Sequence, residues 1–260
     1  MASNFDPFTQ NITVHYVDGS PFQVPVDKVD WWNQYCVRIC INYSCQLGAS
    51  IVLLVVLLLL TKPEKRVSAV FWLNSLALLS NIIRLFCEII FFTSAFVRFY
   101  PWLTHDYSRV PRSAYATSIA GVIFVFFVVI FMESSLVLQV QVVCANLRRR
   151  YRRLLLVVSI LMAMAPIGFR FTLTVLNAMN IMNVKVLGPW LENTTNVIVT
   201  VSICFFCIIF VVKLGFAIKM RRRLGVRDFG PMKAIFVMGC QTMVVPGKFS
   251  FPLSLQSNSH

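Results

Sequence analysis

The sequence predicts an all-α integral membrane protein. Of its 260 residues, 58% are hydrophobic and only 13% are charged, and the mean hydropathy is +0.74. An ordinary soluble domain carries about half apolar and about a quarter charged residues, and a chain of this size has no core large enough to hide the excess. Lipid must therefore be the solvent for much of the surface. The apolar runs are long and continuous, which indicates helices rather than the alternating strands of a barrel.

Five apolar runs are long enough to cross the bilayer, for which a helix needs about 20 residues. These predicted spans are residues 39–60, 67–92, 118–143, 154–179 and 197–217. A sixth apolar run extends from residue 234 to Pro246. At a rise of about 1.5 Å per residue it reaches roughly 18 Å before the proline, so 234–246 is predicted to be only a partial span.

Much of the positive charge lies in three loops. The loops after the first, third and fifth predicted spans hold 14 of the 24 Lys and Arg residues, and the net charge is +14. Basic loops resist translocation, so these loops mark the cytoplasmic face and place the N-terminus outside. They either do no more than set this orientation or also touch anionic lipid or an acidic partner protein. Charge concentrated in short loops on one face gives no sign of a nucleic-acid partner.

These assignments divide the chain into an extracellular segment, 1–34, a transmembrane bundle, 35–246, and a polar tail, 247–260. The first segment has no apolar core of the length that a signal peptide needs, so no cleaved signal peptide is expected. N-glycosylation sequons begin at Asn11 and Asn193. Both lie on the predicted outer face, where glycosylation is possible.

The sequence carries no catalytic or metal-binding constellation. Its three histidines lie in the tail segments and an outer loop, where no His box can form, and it has no Walker loop or nucleophile elbow. The eight cysteines form no double C-x-x-C motif, and none lies in the predicted outer loops 94–117 and 180–196. We expect them to pack as small apolar residues. We therefore expect no enzyme activity, no metal and no cofactor.

Four ionisable residues lie inside predicted spans, where such groups are costly and usually functional. Arg84 and Glu88 lie one turn apart on one face of the second span and can pair, while Glu133 lies in the third span and Arg170 in the fourth. In a structural interpretation, Arg84 and Glu88 neutralise each other. In a functional one, these residues line a site for a polar, peptide-sized ligand or form a switchable network. A small-solute transporter would need an internal repeat or facing polar lines, and neither is found.

Three segments are similar to a known receptor family. Residues 211–229 resemble the end of the fifth helix and the third cytoplasmic loop of fungal mating-pheromone receptors of the α-factor type, which are class D G-protein-coupled receptors. Residues 238–246 resemble that family's sixth-helix signature, and residues 133–142 resemble the inner half of its third helix. Asn74 matches a family asparagine near the start of the second helix. The resemblance covers residues 36–246.

The resemblance implies a GPCR-like bundle in the plasma membrane, which receives a short secreted peptide pheromone outside and a heterotrimeric G protein inside. It also implies a homodimer formed through the first helix. There Gly48 matches one glycine of the family's G-x-x-x-G and Ser44 replaces the other. Small residues at this spacing let two helices approach closely.

Three groups of candidate site residues follow from this resemblance and from the polar residues in the spans. The ligand-binding candidates are Arg84, Glu88, Glu192 and Asn193. The activation-switch candidates are Glu133, Gln241 and Pro246. The G-protein contact candidates are Arg148, Arg149, Arg221, Arg222, Arg223 and Leu224. A polar pair on the family's third helix is replaced by Val122 and Val125, so some ligand contacts differ from the family's.

Beyond Pro246 the resemblance ends. The family continues into a seventh helix, whereas the tail carries Lys248, Pro252 and a polar end that cannot complete a helix in lipid. The expected bundle has five complete spans, a partial sixth and no seventh. One hypothesis is that the tail is encoded by an unspliced intron that is translated. The alternative is a short isoform or a gene-model error. Such a chain is expected to signal poorly or to be retained in the endoplasmic reticulum. The alternatives to a receptor function are a dimerising regulatory fragment of the full receptor and, less favoured, a multi-pass transporter.

Overall fold

The computed structural model describes residues 10–104, 106–145, 148–183 and 189–223, apart from the side chains at 183, 189 and 217–223. Two strands, two 3-10 turns and six α-helices follow one another along this part of the chain. They are β1 (Asn11–His15), β2 (Pro21–Pro25), α1 (Val26–Leu60), a 3-10 turn (Pro63–Lys65), α2 (Ala69–Thr93), a second 3-10 turn (Ala95–Val97), α3 (Phe99–Thr104), α4 (Arg112–Val143), α5 (Arg149–Asn183) and α6 (Pro189–Arg223).

Five of the described helices are long and apolar enough to cross a bilayer, by length and composition: α1, α2, α4, α5 and α6. They coincide with the five predicted spans, and the all-α membrane fold is confirmed. Most of them extend past the predicted bounds, because hydropathy marks only the part of a helix that lipid covers. The predicted partial span, 234–246, and the tail, 247–260, lie outside the described residues.

The first helix begins earlier than hydropathy indicates. α1 starts at Val26, within the segment 1–34 that the sequence predicts to be extracellular. Pro25 occupies its N-cap with φ −63° and ψ 141°, an extended conformation compatible with the fixed φ of proline. Asp27 lies in the first turn, where a carboxylate is favoured by the helix dipole. The first turns of α1 therefore carry the helix beyond the apolar run.

A β-hairpin precedes α1 and leads into it without a loop. β1 and β2 pair antiparallel, with Ile12 opposite Val24, and Val24 is buried. In the connecting turn, Gly19 adopts φ +81°, a left-handed conformation that glycine adopts without steric cost. Its N–H donates to the carbonyl of Tyr16 at 3.0 Å. The dipeptide Asp18-Gly19 is a hairpin signal that the hydropathy-led prediction did not use.

Contacts divide the chain into two compact units. The first comprises residues 1–131 and 171–187, and the second comprises 132–170 and 188–260, each as far as it is described. In the first unit, α1 packs against α2, where Leu85 is fully buried.

Close packing in the first unit also involves α4. A Cβ added at Gly121 would lie 3.3 Å from Cβ of Cys87 on α2. This spacing is tighter than ordinary van der Waals contact, so a side chain at position 121 would require Cys87 to shift by a few tenths of an ångström.

The second unit has its own apolar core, formed around the inner turns of α4 and the facing turns of α5 and α6. Its buried members are Val140, Cys144, Ala163 and Phe206. Pro166 is also buried, and it lies inside α5. Proline removes one backbone donor from a helix, which is tolerated in membrane helices when neighbours satisfy the freed carbonyl.

Large apolar side chains remain exposed along α1. Val52 is 61% exposed, Leu59 75% and Leu60 76%. Water would penalise a continuous apolar face of this kind, whereas the hydrocarbon core of a bilayer would not. The exposure of α1 therefore agrees with a lipid-facing helix.

Candidate functional site

An aromatic contact holds the loop after α2 to the start of α1. The indole Nε1–H of Trp32 donates to the carbonyl of Val97 at 2.9 Å. The rings of Trp32 and Trp102 stack, with centroids 4.0 Å apart and planes 22° apart. Residue 97 ends a 3-10 turn and residue 102 lies in α3, so one side chain of α1 contacts both short elements of this loop.

The same loop is also packed against the start of α4 through aromatic rings. Phe96 lies 4.7 Å from Tyr115 and 5.8 Å from Tyr107, measured between ring centroids. Burial raises the pKa of the Tyr107 phenol. The backbone N–H of Ser108 donates to Oδ1 of Asp106 at 3.0 Å, and hydrogen bonds from Ser108 lower the pKa of that carboxyl. The loop is thus tied to helices at both of its ends.

The predicted ligand residue Arg84 belongs to a polar network between α1 and α2. Its guanidinium Nε donates to Oδ1 of Asn81 at 3.2 Å, and Nδ2 of Asn81 donates to Oγ of Ser50 at 2.9 Å. Sequence reasoning identified Arg84 and missed Asn81 and Ser50, because neutral polar residues in a span give no distinct signal. The predicted pairing of Arg84 with Glu88 stays a prediction.

The other two predicted ligand residues lie in the first turns of α6. Glu192 and Asn193 are both exposed, and Glu192 stands in the first turn, where the helix dipole favours a carboxylate. Arg84 and Glu88 belong to the first unit, whereas Glu192 and Asn193 belong to the second.

The two sequons predicted to be glycosylated differ in their local structure. Asn11 is exposed at the start of β1, where its Nδ2 donates to Oε1 of Gln23 at 3.2 Å. Asn193 lies within α6, and the hydroxyl of Thr195, the third residue of its sequon, is buried and donates to the carbonyl of Leu191 at 2.8 Å. Both acceptor asparagines are exposed, and the sequon at Asn193 differs in that its threonine hydroxyl is buried within a helix.

A buried carboxyl joins α4 to α6 in the second unit. Glu133 is fully buried, and its Oε2 accepts a hydrogen bond of 2.9 Å from the hydroxyl of Ser202, which is itself buried. Within the described residues, Oε1 of Glu133 has no hydrogen-bond partner. Sequence reasoning identified Glu133 as a switch candidate, whereas its partner Ser202 carried no signal. A lone hydrogen bond gives a buried carboxyl little compensation for its lost hydration.

The predicted G-protein contacts are described in part. Arg148 and Arg149 are exposed at the start of α5. Arg221, Arg222 and Arg223 form the last turn of α6, where the backbone is described and the side chains are not. Leu224 and the switch candidates Gln241 and Pro246 lie outside the described residues.

Hydrogen bonds hold the first basic loop, between α1 and α2, to the end of α1. The guanidinium of Arg66 donates to the carbonyls of Leu58 at 2.7 Å and Thr61 at 3.0 Å, and so caps the C-terminus of α1. Lys62 and Lys65 are exposed. One of the three cations in this loop is therefore used to end a helix, and the other two face outward.

The predicted dimer residues lie on the exposed face of α1. Ser44 and Gly48 are both exposed, and a Cβ added at Gly48 would meet no heavy atom within 4 Å. The described part of the chain brings together no group of three or more His, Cys, Asp or Glu side chains that could hold a metal ion.

Comparison with known proteins connects these features to a receptor family. Residues 5–257 match the sequence model of the family described as fungal pheromone mating factor STE2 GPCR. The chain is 25% identical over 252 residues to the pheromone P-factor receptor of Schizosaccharomyces pombe, an alignment that covers 93% of this chain and 71% of that protein. It is 29% identical over 130 residues to the pheromone alpha factor receptor of Saccharomyces cerevisiae, covering 49% of this chain and 30% of that protein.

The match to the family is wider than the segments that carry the resemblance in the sequence. It takes in the hairpin before α1 as well as residues beyond Pro246, whereas the resemblance covers 36–246. Nearly the whole chain is matched, and the described helices supply five of the membrane-spanning segments that a receptor of this kind requires. The chain therefore belongs to the fungal STE2 family of pheromone-receptor GPCRs.

Proposed function

We propose that the chain is a plasma-membrane receptor for a secreted peptide mating pheromone, which it reports to a heterotrimeric G protein inside the cell. The family match over residues 5–257 is the observation that carries this proposal. Two relatives named as pheromone receptors support the class of ligand. A receptor of this kind signals by changing conformation and has no need of a catalytic site or cofactor.

In this proposal the hairpin end of α1 faces outside, and the basic loops face the cytoplasm, as the positive-inside rule requires. The exposed side chains of Arg148 and Arg149 support a contact with an acidic surface of the G protein. The basic run 221–223 at the end of α6 would extend this surface. Exposed lysines in the first loop, Lys62 and Lys65, lie where anionic lipid headgroups would meet them.

Activation in this proposal involves the hydrogen bond between Glu133 and Ser202. It joins two membrane-spanning helices, α4 and α6, and in this proposal it holds the resting arrangement. A ligand shifts a receptor only through contacts that differ between two states. A buried carboxyl with a single partner suits this role. Rotation of α4 or α6 would change the surroundings of the carboxyl, and in a low-dielectric interior such a change strongly alters its free energy. Gln241 and Pro246 would belong to the same switch.

The exposed pair Ser44 and Gly48 supports a homodimer formed through α1. Both are small, both lie on the outward face of α1, and the space beside Gly48 is open. A second copy of α1 could approach closely along this face.

A reporter assay in yeast cells that lack their own pheromone receptor tests the proposed function. The probe is the synthetic mature peptide encoded by the pheromone-precursor gene of the source genome. The chain should bind the peptide and activate a G-protein-linked reporter, whereas the poorly signalling form predicted from the tail would bind the peptide without activating the reporter. The double variant R148A/R149A should keep peptide binding and lose most of the reporter response, whereas K62A/K65A, which removes two exposed charges from the first loop, serves as the matched charge control. Peptide binding without any reporter signal would contradict the proposed coupling to a G protein. Failure to bind the peptide would contradict the proposed pheromone ligand.

A further inference from the structure

Three parts of the outer end of the first unit are joined by contacts. We call them the N-terminal cap: the hairpin with the first turns of α1, residues 10–35, and the loop segment 94–104. The backbone N–H of Val26 donates to the carbonyl of Gln10 at 3.0 Å, which fastens the start of the hairpin to the start of the helix. Two turns further along α1, Trp32 reaches the loop segment.

The helical elements of the loop segment are short. Its 3-10 turn has three residues and α3 has six, and isolated helices of such lengths are unstable in water. The position of the segment must therefore come from side chains that bind it from outside. Trp32 supplies a hydrogen bond to its backbone at Val97 and a stacked ring at Trp102.

The neighbouring residue, Trp31, provides a natural contrast. Trp31 is 59% exposed and stacks on Tyr35, with ring centroids 5.4 Å apart and planes 13° apart. An exposed tryptophan of this kind suits a membrane–water interface, where aromatic residues anchor a helix at the headgroups. Trp32 differs because its indole N–H is donated within the protein. Two identical residues, adjacent in sequence, therefore have different physical roles.

We propose that Trp32 is a positioning residue for peptide recognition. It acts through the backbone of Val97 and the ring of Trp102 to hold the loop segment 94–104 in the arrangement in which the segment meets the pheromone. This inference rests on the proposed function, in which this end of the first unit faces outside and receives the peptide. A segment fixed before binding spares the peptide the cost of ordering it.

The test compares Trp32→Phe with Trp31→Phe in the full chain. Phenylalanine keeps an aromatic ring at either position and removes the indole N–H. With Trp32→Phe, the synthetic pheromone peptide should bind about fivefold more weakly, the effect of one lost hydrogen bond, mainly through faster dissociation. Backbone amides of residues 94–104 should exchange hydrogen faster in the purified protein. Trp31→Phe should change neither quantity, and both variants should reach the cell surface at the level of the unsubstituted chain.

A second variant covers the case in which Trp32→Phe lowers the amount of folded receptor. Trp102→Leu removes the stacked ring and leaves the hydrogen bond to Val97, so it should also weaken peptide binding and speed exchange in the segment. Normal peptide affinity in both Trp32→Phe and Trp102→Leu would overturn the inference and leave the proposed function standing. No peptide binding by the unsubstituted chain would overturn the proposed function, and this inference with it. Equal losses of peptide affinity in the Trp31→Phe and Trp32→Phe variants would mean that both tryptophans act only as membrane anchors. That result would also overturn the inference.

Discussion

The two units each contain a polar hydrogen bond between membrane-spanning helices, and the two bonds differ in chemistry. In the first unit, Asn81 of α2 donates to Ser50 of α1. In the second, Ser202 of α6 donates to Glu133 of α4. Both donor–acceptor distances are 2.9 Å. The geometry of the bonds is thus matched, and what distinguishes them is the group at the centre of each.

Asn81 distributes its polar atoms over two partners, since it donates to Ser50 and accepts from Arg84. Glu133 is fully buried, and one of its oxygens has no partner in the described part of the chain. An amide with both a donor and an acceptor partner stabilises one arrangement of helices, whereas a carboxyl held by a single bond is released when that bond is lost. The comparison suggests that the first bond serves packing and the second serves switching.

The largest expected effect comes from Glu133→Ala. It removes the carboxyl of Glu133 and, with it, the bond to Ser202 that holds the resting arrangement in the proposed switch. A combined effect of about 1–2 kcal/mol corresponds to about a 5–30-fold change in a two-state ratio, so ligand-independent reporter activity should rise several-fold. Glu133→Gln is the control, because its amide oxygen can still accept from Ser202 and should keep basal activity close to that of the unsubstituted receptor. Unchanged basal activity in the alanine variant would remove Glu133 from the switch.

A smaller effect, and one of a different kind, is expected from Asn81→Ala. It removes one donor to Ser50 and one acceptor of Arg84, which should cost about 1–2 kcal/mol of stability. For a protein of this size, the thermal denaturation midpoint in detergent should fall by about 2–6 °C. Basal reporter activity, corrected for surface amount, should stay constant. A rise comparable to that of the Glu133 variant would erase the difference between the two bonds.

The sequence alone was sufficient to predict the five spans. It was also sufficient to identify one member of each interhelical polar network. Hydropathy depends on composition, so the five spans could be read without knowing how the helices pack. Arg84 and Glu133 could be identified because a charge inside an apolar run is unusual in itself. Ser202, Asn81 and Ser50 could not be identified, because their roles depend on the rotation and depth of two helices at once.

The N-terminal cap shows a second limit of sequence reasoning. The hairpin has a local sequence signal at Asp18-Gly19, but the apolar runs that predict the spans carry no information about turns. The contrast between Trp31 and Trp32 had no local signal at all. The two residues have the same chemistry, and only the position of the segment 94–104 decides which indole N–H finds a carbonyl.

The smallest expected effects come from a matched pair of substitutions, Ser50→Ala and Ser202→Ala. Each removes one hydroxyl that takes part in one interhelical hydrogen bond of 2.9 Å. Such bonds in membrane proteins average about 0.6 kcal/mol, so both variants should lose a similar, small amount of thermal stability. Their signalling should differ. Ser202→Ala weakens the tether to Glu133 and should raise basal reporter activity about two- to threefold, which is the same free energy expressed as a population ratio. Ser50→Ala should leave it unchanged. Equal basal activities in the two variants, measured at equal surface amounts, would mean that the α4–α6 bond is as purely structural as the α1–α2 bond.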